Sequence, residues 1–316
     1  MSDTKSQRRV VIAGGAGFIG LNLCTRLLDE GARVIALDMT PTDKLRHVEP
    51  FLKNENFEYR QQDIIEPIAI EGPIDEIYNF ATTAAPKYYQ EDRVHTLKTC
   101  VFGSTNLLDL ATEKSARILQ ASTSEIYGDP LEHPQKEDYR GNVNPIGPRA
   151  CYDEGKRAAE ALFMDYARHR GTDIKIVRIF NAYGPYMKDD GRIMSNFIQQ
   201  ALKGESITIY GDGSQTRSFI YIDDLVEGIM RMMRKDDFMG PVNLGNPEEY
   251  TVKQIAETVV RLTNSKSAIT LMPLPQDDPT RRQPHIGLAH EKLGWKPLVG
   301  LEEGLQKTIA FYTSTA

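Results

Sequence analysis

Arg9-Val-Val-Ile-Ala13-Gly14-Gly-Ala-Gly17-Phe18-Ile19-Gly20 sets an apolar, β-branched run directly against glycines spaced G-x-x-G-x-x-G. Arg9 to Ala13 reads as a buried strand. Phe18 to Glu30, with Ile19, Leu23, Leu27 and Leu28 at helical spacing, reads as a helix that Gly31 stops. Glycines between a strand and a helix permit a tight turn, and they let backbone N–H groups approach a pyrophosphate at the helix N-terminus. Arg33-Val-Ile-Ala-Leu37 is the next strand and ends at Asp38. A carboxylate there accepts both hydroxyls of an adenosine ribose and repels a 2′-phosphate, so the pattern points to NAD over NADP. A glycine-rich turn of ordinary packing would explain the glycines alone. The strand–turn–helix–strand–Asp order favours the cofactor. Gly14, Gly17, Phe18, Ile19, Gly20 and Asp38 are the candidate cofactor contacts. Asp63, after the third strand, either reaches the adenine edge or is a turn residue. Ile64 and Ala81, behind the third and fourth strands, complete the candidate set.

Outward from this unit the pattern repeats. Phe57 to Gln62, Ile74 to Phe80 and Arg117 to Ala121 read as strands, with helical stretches between them, notably Leu97 to Glu113. A long helix is expected from about Pro148 to His169, with Gly171 behind it, and Lys175-Ile-Val-Arg-Ile-Phe180 is another buried strand. Strands alternating with helices predict an α/β fold, a doubly wound parallel sheet of Rossmann type. After Phe180, Gly and Pro become frequent, and short strands (Ser206 to Tyr210, Ser218 to Ile222) mix with helices. This reads as a smaller C-terminal α/β substrate-binding domain. Residues 1–180 are the expected NAD-binding domain and 181–316 mainly the substrate-binding domain. A segment near 222–248 returns to the sheet through Pro241-Val-Asn-Leu-Gly245.

The 316 residues, 40% hydrophobic and 26% charged, have the profile of a soluble globular protein. A net charge of −6 gives no electrostatic reason to expect nucleic acid or an anionic membrane as partner. No segment approaches the ~18 consecutive apolar residues of a membrane helix. Met1 to Arg9 is polar, without a signal-peptide run. Cys24, Cys100 and Cys151 are an odd number at unrelated spacings, which fits reduced thiols in a cytoplasm. The six histidines show no metal-ligand spacing, so no metal site is expected.

Arg117-Ile-Leu-Gln-Ala121 runs into Ser122-Thr123-Ser124-Glu125 before a turn at Gly128-Asp129-Pro130. Ligands of open α/β sheets bind outside the carboxyl ends of the strands. Hydroxyls and a carboxylate there are candidate chemistry; the alternative for Glu125 is a surface-turn acid. Downstream, Tyr152 and Lys156 lie one helical turn apart and share a face. Tyrosine is a poor base, with a reference pKa of about 10. A nearby ammonium and a nicotinamide cation would both favour the phenolate. Such a pair suits hydride chemistry at an alcohol, and Lys156 can also hold the cofactor ribose. With 14 tyrosines, one Tyr-x-x-x-Lys is expected roughly by accident. This one is the only one in the chain.

Together these elements resemble the extended short-chain dehydrogenase/reductase superfamily, which acts on nucleotide sugars. Within it, several stretches resemble the UDP-glucuronate decarboxylases (UDP-xylose synthases). They are Ala121-Ser-Thr123-Ser-Glu125-Ile-Tyr-Gly-Asp-Pro130, His133-Pro-Gln135, Gly141-Asn-Val-Asn-Pro-Ile-Gly-Pro-Arg-Ala-Cys-Tyr152-Asp-Glu-Gly-Lys156-Arg157, Asp190-Gly-Arg192-Ile-Met-Ser-Asn-Phe197, Tyr210-Gly-Asp-Gly-Ser-Gln-Thr-Arg217-Ser-Phe219 and Asp277-Asp-Pro-Thr-Arg-Arg282-Gln-Pro284. The resemblance implies that NAD takes hydride from carbon 4 of the sugar with Tyr152 as base. Carbon dioxide then leaves from carbon 5, carbon 5 is protonated, and the hydride returns. It implies that Thr123 hydrogen-bonds the oxygen on carbon 4 and that Ser124 and Glu125 act near carbon 5. Sibling dehydratases carry an aspartate where this chain has Ser124, and sibling epimerases usually lack the carboxylate of Glu125. Arg192, Arg217 and Arg282 are the candidate cations for two phosphates and a carboxylate, and Arg281 is read as a solvated neighbour. Asn181 and Tyr210 are further substrate candidates.

Some positions depart from the family pattern. Cys100 stands where an asparagine is expected, Ala182 for a threonine, Tyr186 for an arginine, Arg140 for a tryptophan and His285 for an aspartate. Asn79-Phe-Ala-Thr-Thr-Ala-Ala-Pro86 and Leu21-Asn22 also differ. Decarboxylation is therefore expected more firmly than the identity of the uronate sugar. The alternatives are a UDP-hexuronate 4-epimerase and a catalytically silent NAD-binding protein. The family pattern also implies a homodimer, formed through the helices near Leu97–Glu113 and Pro148–His169.

Overall fold

The computed structural model describes residues 7–273 and 282–315. Residues 1–6 and the part of the last motif from Asp277 to Arg281 lie outside the described residues. Seven strands form one parallel sheet: β1 (Arg9–Ala13), β2 (Arg33–Asp38), β3 (Phe57–Gln61), β4 (Glu76–Asn79), β5 (Arg117–Thr123), β6 (Ile174–Ile179) and β7 (Val242–Leu244). Their order is β7-β6-β5-β4-β1-β2-β3, so the last strand returns to the sheet edge beside β6.

Alternation along the strands divides the interior into two cores. Val10, Ile12, Val34 and Ala36 face one side, with Leu23 and Leu27 of α1 (Phe18–Asp29). Val11, Ala13, Ile35 and Leu37 face the other, with Leu107, Leu108 and Ala111 of α2 (Ser104–Lys114) and Phe163 of α3 (Ala150–Arg170). Burial on both faces explains why these strands read as continuous apolar runs. The expected parallel Rossmann-type sheet is the observed one.

The element ends differ from the sequence reading for physical reasons. β5 continues through Ser122 and Thr123, because both pair in register with Arg178 and Ile179 of β6. The helix expected from Leu97 begins earlier, at Arg93, where Asp92 accepts the His95 N–H at 2.9 Å. It passes through a wide π-type turn at Thr99–Gly103 before α2, the kind of irregularity that recurs near functional sites. The strand expected over Ser218 to Ile222 is two short ones. Thr216–Ser218 pairs with Glu249–Thr251, and Ile220–Tyr221 pairs with Ala182–Tyr183.

The chain's one tryptophan is central among the contacts that fasten the C-terminal part to α4 (Ile222–Met233). Trp295 is 2% exposed, and its indole N–H donates to the Asp224 carbonyl at 2.9 Å. The Asp224 carboxylate accepts the Leu298 and Val299 N–H groups at 2.9 and 2.8 Å. Gly228 leaves the space the ring needs, since a β-carbon there would lie 3.0 Å from the indole. No helix among the described residues is long and apolar enough to cross a membrane. Trp295→Ala is expected to cost roughly 3–5 kcal/mol of stability, read by urea denaturation with far-ultraviolet circular dichroism. A cost under about 1 kcal/mol would show that this anchor does not hold the C-terminal part.

Candidate active site

The sheet order reverses between β1 and β4, which opens a crevice at their carboxyl ends. Gly14 leaves β1 at φ +80°, and a β-carbon there would lie 2.7 Å from the Phe80 carbonyl, so only glycine fits. The Gly14 and Gly15 N–H groups donate to the Leu37 carbonyl at 2.8 and 3.1 Å, and Gly17 N–H donates to the Gly14 carbonyl at 3.0 Å. The loop is thereby folded flat at the start of α1. No side chain caps that helix, so the N–H groups at Phe18 and Ile19 remain donors for an anion. Asp38 Oδ2 accepts the Ala16 N–H at 3.1 Å, which sets the carboxylate beside the loop. These residues fit NAD: a cradle that side chains would fill, an uncapped helix start and a strand-end acid.

Asp63 opens the turn that follows β3. Its Oδ1 accepts the Ile65 N–H at 3.0 Å, and its Oδ2 lies 2.8 Å from His95 Nε2, a partner the sequence reading did not single out. Ile64 is buried, with its side chain where a β-carbon of Gly103 would be. Ala81 N–H donates to Asn79 Oδ1 at 3.3 Å.

β5 and α3 bring the chemical residues together. Tyr152 is 4% exposed and its ring stacks on Tyr89, with centroids 5.1 Å apart. Its hydroxyl lies within reach of the Thr123 side chain. Lys156 Nζ lies 5.8 Å from the Tyr152 ring centroid but donates to the Ala121 carbonyl at 2.9 Å. Burial pushes the phenol well up; the Thr123 side chain opposes this, and the charges of Glu125 and Asp153 add to it. Burial also lowers the Lys156 ammonium.

Glu125 sits on the turn Ser124–Tyr127 that follows β5, beside the buried Ser124. It is no surface-turn acid. Its carboxylate lies between the guanidinium groups of Arg149 and Arg282, with an ion pair to each. Burial alone would raise this carboxyl, but the two arginines outweigh it and hold it below the usual carboxylate range. Arg149 also lies 3.9 Å from Asp153, and burial pushes the Asp153 carboxyl up to about 7, helped by Glu125 and opposed by the two arginines. Sequence reasoning assigned no role to Arg149 or Asp153, although both stand in the block around Tyr152.

Buried polar atoms without partners mark where a ligand belongs. Apart from Arg9 Nε, every such side-chain atom among the described residues belongs to this cluster: Tyr89 Oη, Asp153 Oδ1, Arg282 Nε and Arg282 Nη2. The other substrate candidates stand differently. Arg217 is buried and donates to the Thr216 carbonyl at 2.9 Å, and the next residue, Ser218, donates to the Arg282 carbonyl at 3.3 Å. Asn181 donates to the Ser218 carbonyl at 3.4 Å. Arg192 pairs with Asp190 at 2.7 Å, and Tyr210 is 45% exposed on a strand of a small second sheet.

The NAD dependent epimerase/dehydratase family matches residues 10–245. UDP-glucuronic acid decarboxylase 1 of Danio rerio is 49% identical over 310 residues, which are 98% of this chain and 73% of that protein. UDP-glucuronic acid decarboxylase 5 of Arabidopsis thaliana is 50% identical over 303 residues, 95% of this chain and 88% of that protein. The crystal structure of UDP-glucuronic acid 4-epimerase from Bacillus cereus, in complex with UDP-glucuronic acid and NAD, has a TM-score of 0.85 at 24% identity and covers 98% of this chain and 100% of that one; this likeness shows the fold alone. With a folded glycine cradle, a strand-end aspartate and this extent of identity, the chain belongs to the NAD dependent epimerase/dehydratase family of extended short-chain dehydrogenases/reductases, uses NAD, and is similar over nearly its full length to UDP-glucuronic acid decarboxylases.

Proposed function

We propose that the protein is a carboxy-lyase that converts a UDP-hexuronate, best fitted by UDP-glucuronate, to UDP-xylose without net oxidation. The observation that carries this reading is the carboxylate of Glu125, its side chain only 15% exposed, clasped by Arg149 and Arg282 at the end of β5. A bound NAD supplies the hydride acceptor at carbon 4 and the donor that later restores it. With the positive charge of bound NAD opposing the effect of burial, Tyr152 as its phenolate would take the proton of the carbon 4 hydroxyl, with Thr123 beside it to hold that hydroxyl in line. The β-keto acid so formed loses carbon dioxide readily, because its electrons move onto the ketone oxygen. The free Nε and Nη2 of Arg282 offer the bidentate fork that a sugar carboxylate needs. Carbon 5 then requires a proton. Glu125, held ionised by two arginines, orients a water that gives this proton, and the protonated carboxyl of Asp153 beside it replaces the proton the water loses.

Incubation of the protein with NAD and UDP-glucuronate should release carbon dioxide and a pentose nucleotide, identified by mass. Tyr152→Phe should lower turnover by at least ~100-fold while NAD still binds. A product of unchanged mass and altered retention would mean an epimerase.

Asp153 makes a separate prediction. Its folded form keeps a proton up to about 7, whereas the unfolded chain loses it near ~4. Between those values the folded state binds the extra proton, so this group's contribution to stability falls as pH rises and is flat above them. Asp153→Asn stays neutral throughout. Its melting temperature relative to the parent should rise by roughly 5 °C between pH ~4.5 and pH ~8. A gap that does not change with pH would contradict the assigned burial of this acid.

We further propose a homodimer. Val94, Leu97 and Phe102, on the helical run that starts at Arg93, are 66%, 42% and 54% exposed, an apolar row beside α3. Light scattering should give twice the chain mass of 35.6 kDa, and Phe102→Asp should halve the value found. A parent that scatters as a single chain ends this proposal.

A further inference from the structure

Gln135, the last residue of His133-Pro-Gln135, is fully buried and touches none of the reacting groups assigned above. Its side-chain Oε1 accepts the Gln283 N–H at 3.0 Å, and its Nε2 donates to the Glu132 carbonyl at 2.7 Å. Its backbone N–H donates to the Gln283 carbonyl at 2.9 Å, and its carbonyl accepts the His285 N–H at 2.9 Å. The backbone of Gln283 is thus gripped on both its N–H and its carbonyl by one residue. Arg282 is the neighbour of Gln283, and its guanidinium pairs with Glu125.

Asn243 of β7 closes the arrangement. Its Nδ2 donates to the carbonyls of Gln135 and His285 at 3.1 and 3.2 Å, and its Oδ1 accepts the Tyr127 hydroxyl at 2.8 Å. Tyr127 and Glu125 lie on the same short turn. A closed ring of polar contacts therefore runs from that turn through Tyr127, Asn243, Gln135 and Gln283 to Arg282, and back to Glu125. Satisfied buried networks of this kind fix one geometry, because any shift leaves a buried donor or acceptor unpaired.

We propose that Gln135 is a positioning residue that sets the register of Arg282 against Glu125, and so determines the preference of the site for a sugar that carries a carboxylate. The inference rests on the reading of this site as a uronate pocket. Gln135 reaches the sugar only through Arg282. Its loss should therefore weaken recognition of the carboxylate and leave the nucleotide contacts unchanged.

The test uses the NAD-loaded protein carrying Tyr152→Phe, so that UDP-glucuronate is not consumed, and calorimetric dissociation constants for UDP-glucuronate and UDP-glucose. Gln135→Met preserves the volume and removes both side-chain hydrogen bonds. It should cut the preference for UDP-glucuronate over UDP-glucose roughly tenfold and change UDP-glucose affinity less than about twofold. Arg282→Ala should remove the same preference, and the double variant should lose no more than Arg282→Ala alone. Gln135→Glu, which retains the acceptor for Gln283 N–H, serves where the methionine variant is poorly folded and should keep part of the preference. Equal losses for both ligands, additive losses in the double variant, or a full preference in Gln135→Met would each overturn the inference and leave the uronate reading standing. A parent protein with no preference for the uronate would remove both.

Discussion

The ionised carboxylate of Glu125 between Arg149 and Arg282 is the constraint around which the site is arranged. A buried carboxylate is stable only where opposite charge replaces the water it has lost. Here that charge comes from two distant places in the chain. Arg149 stands directly before α3, and Arg282 lies in the C-terminal segment. Removing one partner of such a group leaves an uncompensated charge and typically costs ~3–5 kcal/mol. The ion cluster thus ties the turn after β5 both to the helix that carries Tyr152 and to the segment that carries Arg282.

The sheet determines where that cluster stands. β5 is adjacent to β4, which is adjacent to β1, and all three end on one side. The glycine loop after β1 and the Ser-Thr-Ser-Glu stretch after β5 therefore open onto the same crevice. Close approach of Gly14 to Phe80 keeps the loop low against β4. α3 then supplies Tyr152 and Lys156 together, because residues four apart share a helix face. Lys156 binds the end of β5 through the Ala121 carbonyl, so helix and strand cannot slide independently.

Much of this was legible in the sequence, where local rules decide. The alternation of apolar runs with helical spacing specified the parallel sheet, and Gly14, Gly17, Gly20 and Asp38 specified the cofactor loop. What escaped reading depended on long-range packing. Arg149 and Asp153 look like surface charges on a helix start until the turn after β5 brings Glu125 against them. The pairing of Asp63 with His95 joins residues 32 apart, and no local pattern announces it. The pKa of Tyr152 follows from burial and from its neighbours Thr123, Glu125 and Asp153, none of which spacing encodes. β5 ran past its apolar residues because β6 offered Ser122 and Thr123 backbone partners, which hydroxyl side chains do not oppose. Gln135 was visible as part of a motif, but its reach to Gln283 exists only in the fold.

Charge balance connects these pieces to the proposed substrate. Below about pH 7, Asp153 holds its proton while Glu125 is ionised, so Arg149, Arg282, Glu125 and Asp153 sum to one positive charge. The unpartnered Nε and Nη2 of Arg282 lie within this cluster, closed to solvent. A sugar carboxylate would neutralise the cluster and satisfy both donors. A neutral hexose would leave a buried positive charge uncompensated and two buried N–H groups dependent on weaker hydroxyl acceptors. The same positive charge disfavours the carboxylate's departure as an anion but does not oppose its departure as neutral carbon dioxide. Once the gas has left, the site again carries its net charge, and the neutral pentose is held by fewer contacts than the uronate it replaced. Discrimination at entry and release at exit then arise from one set of charges.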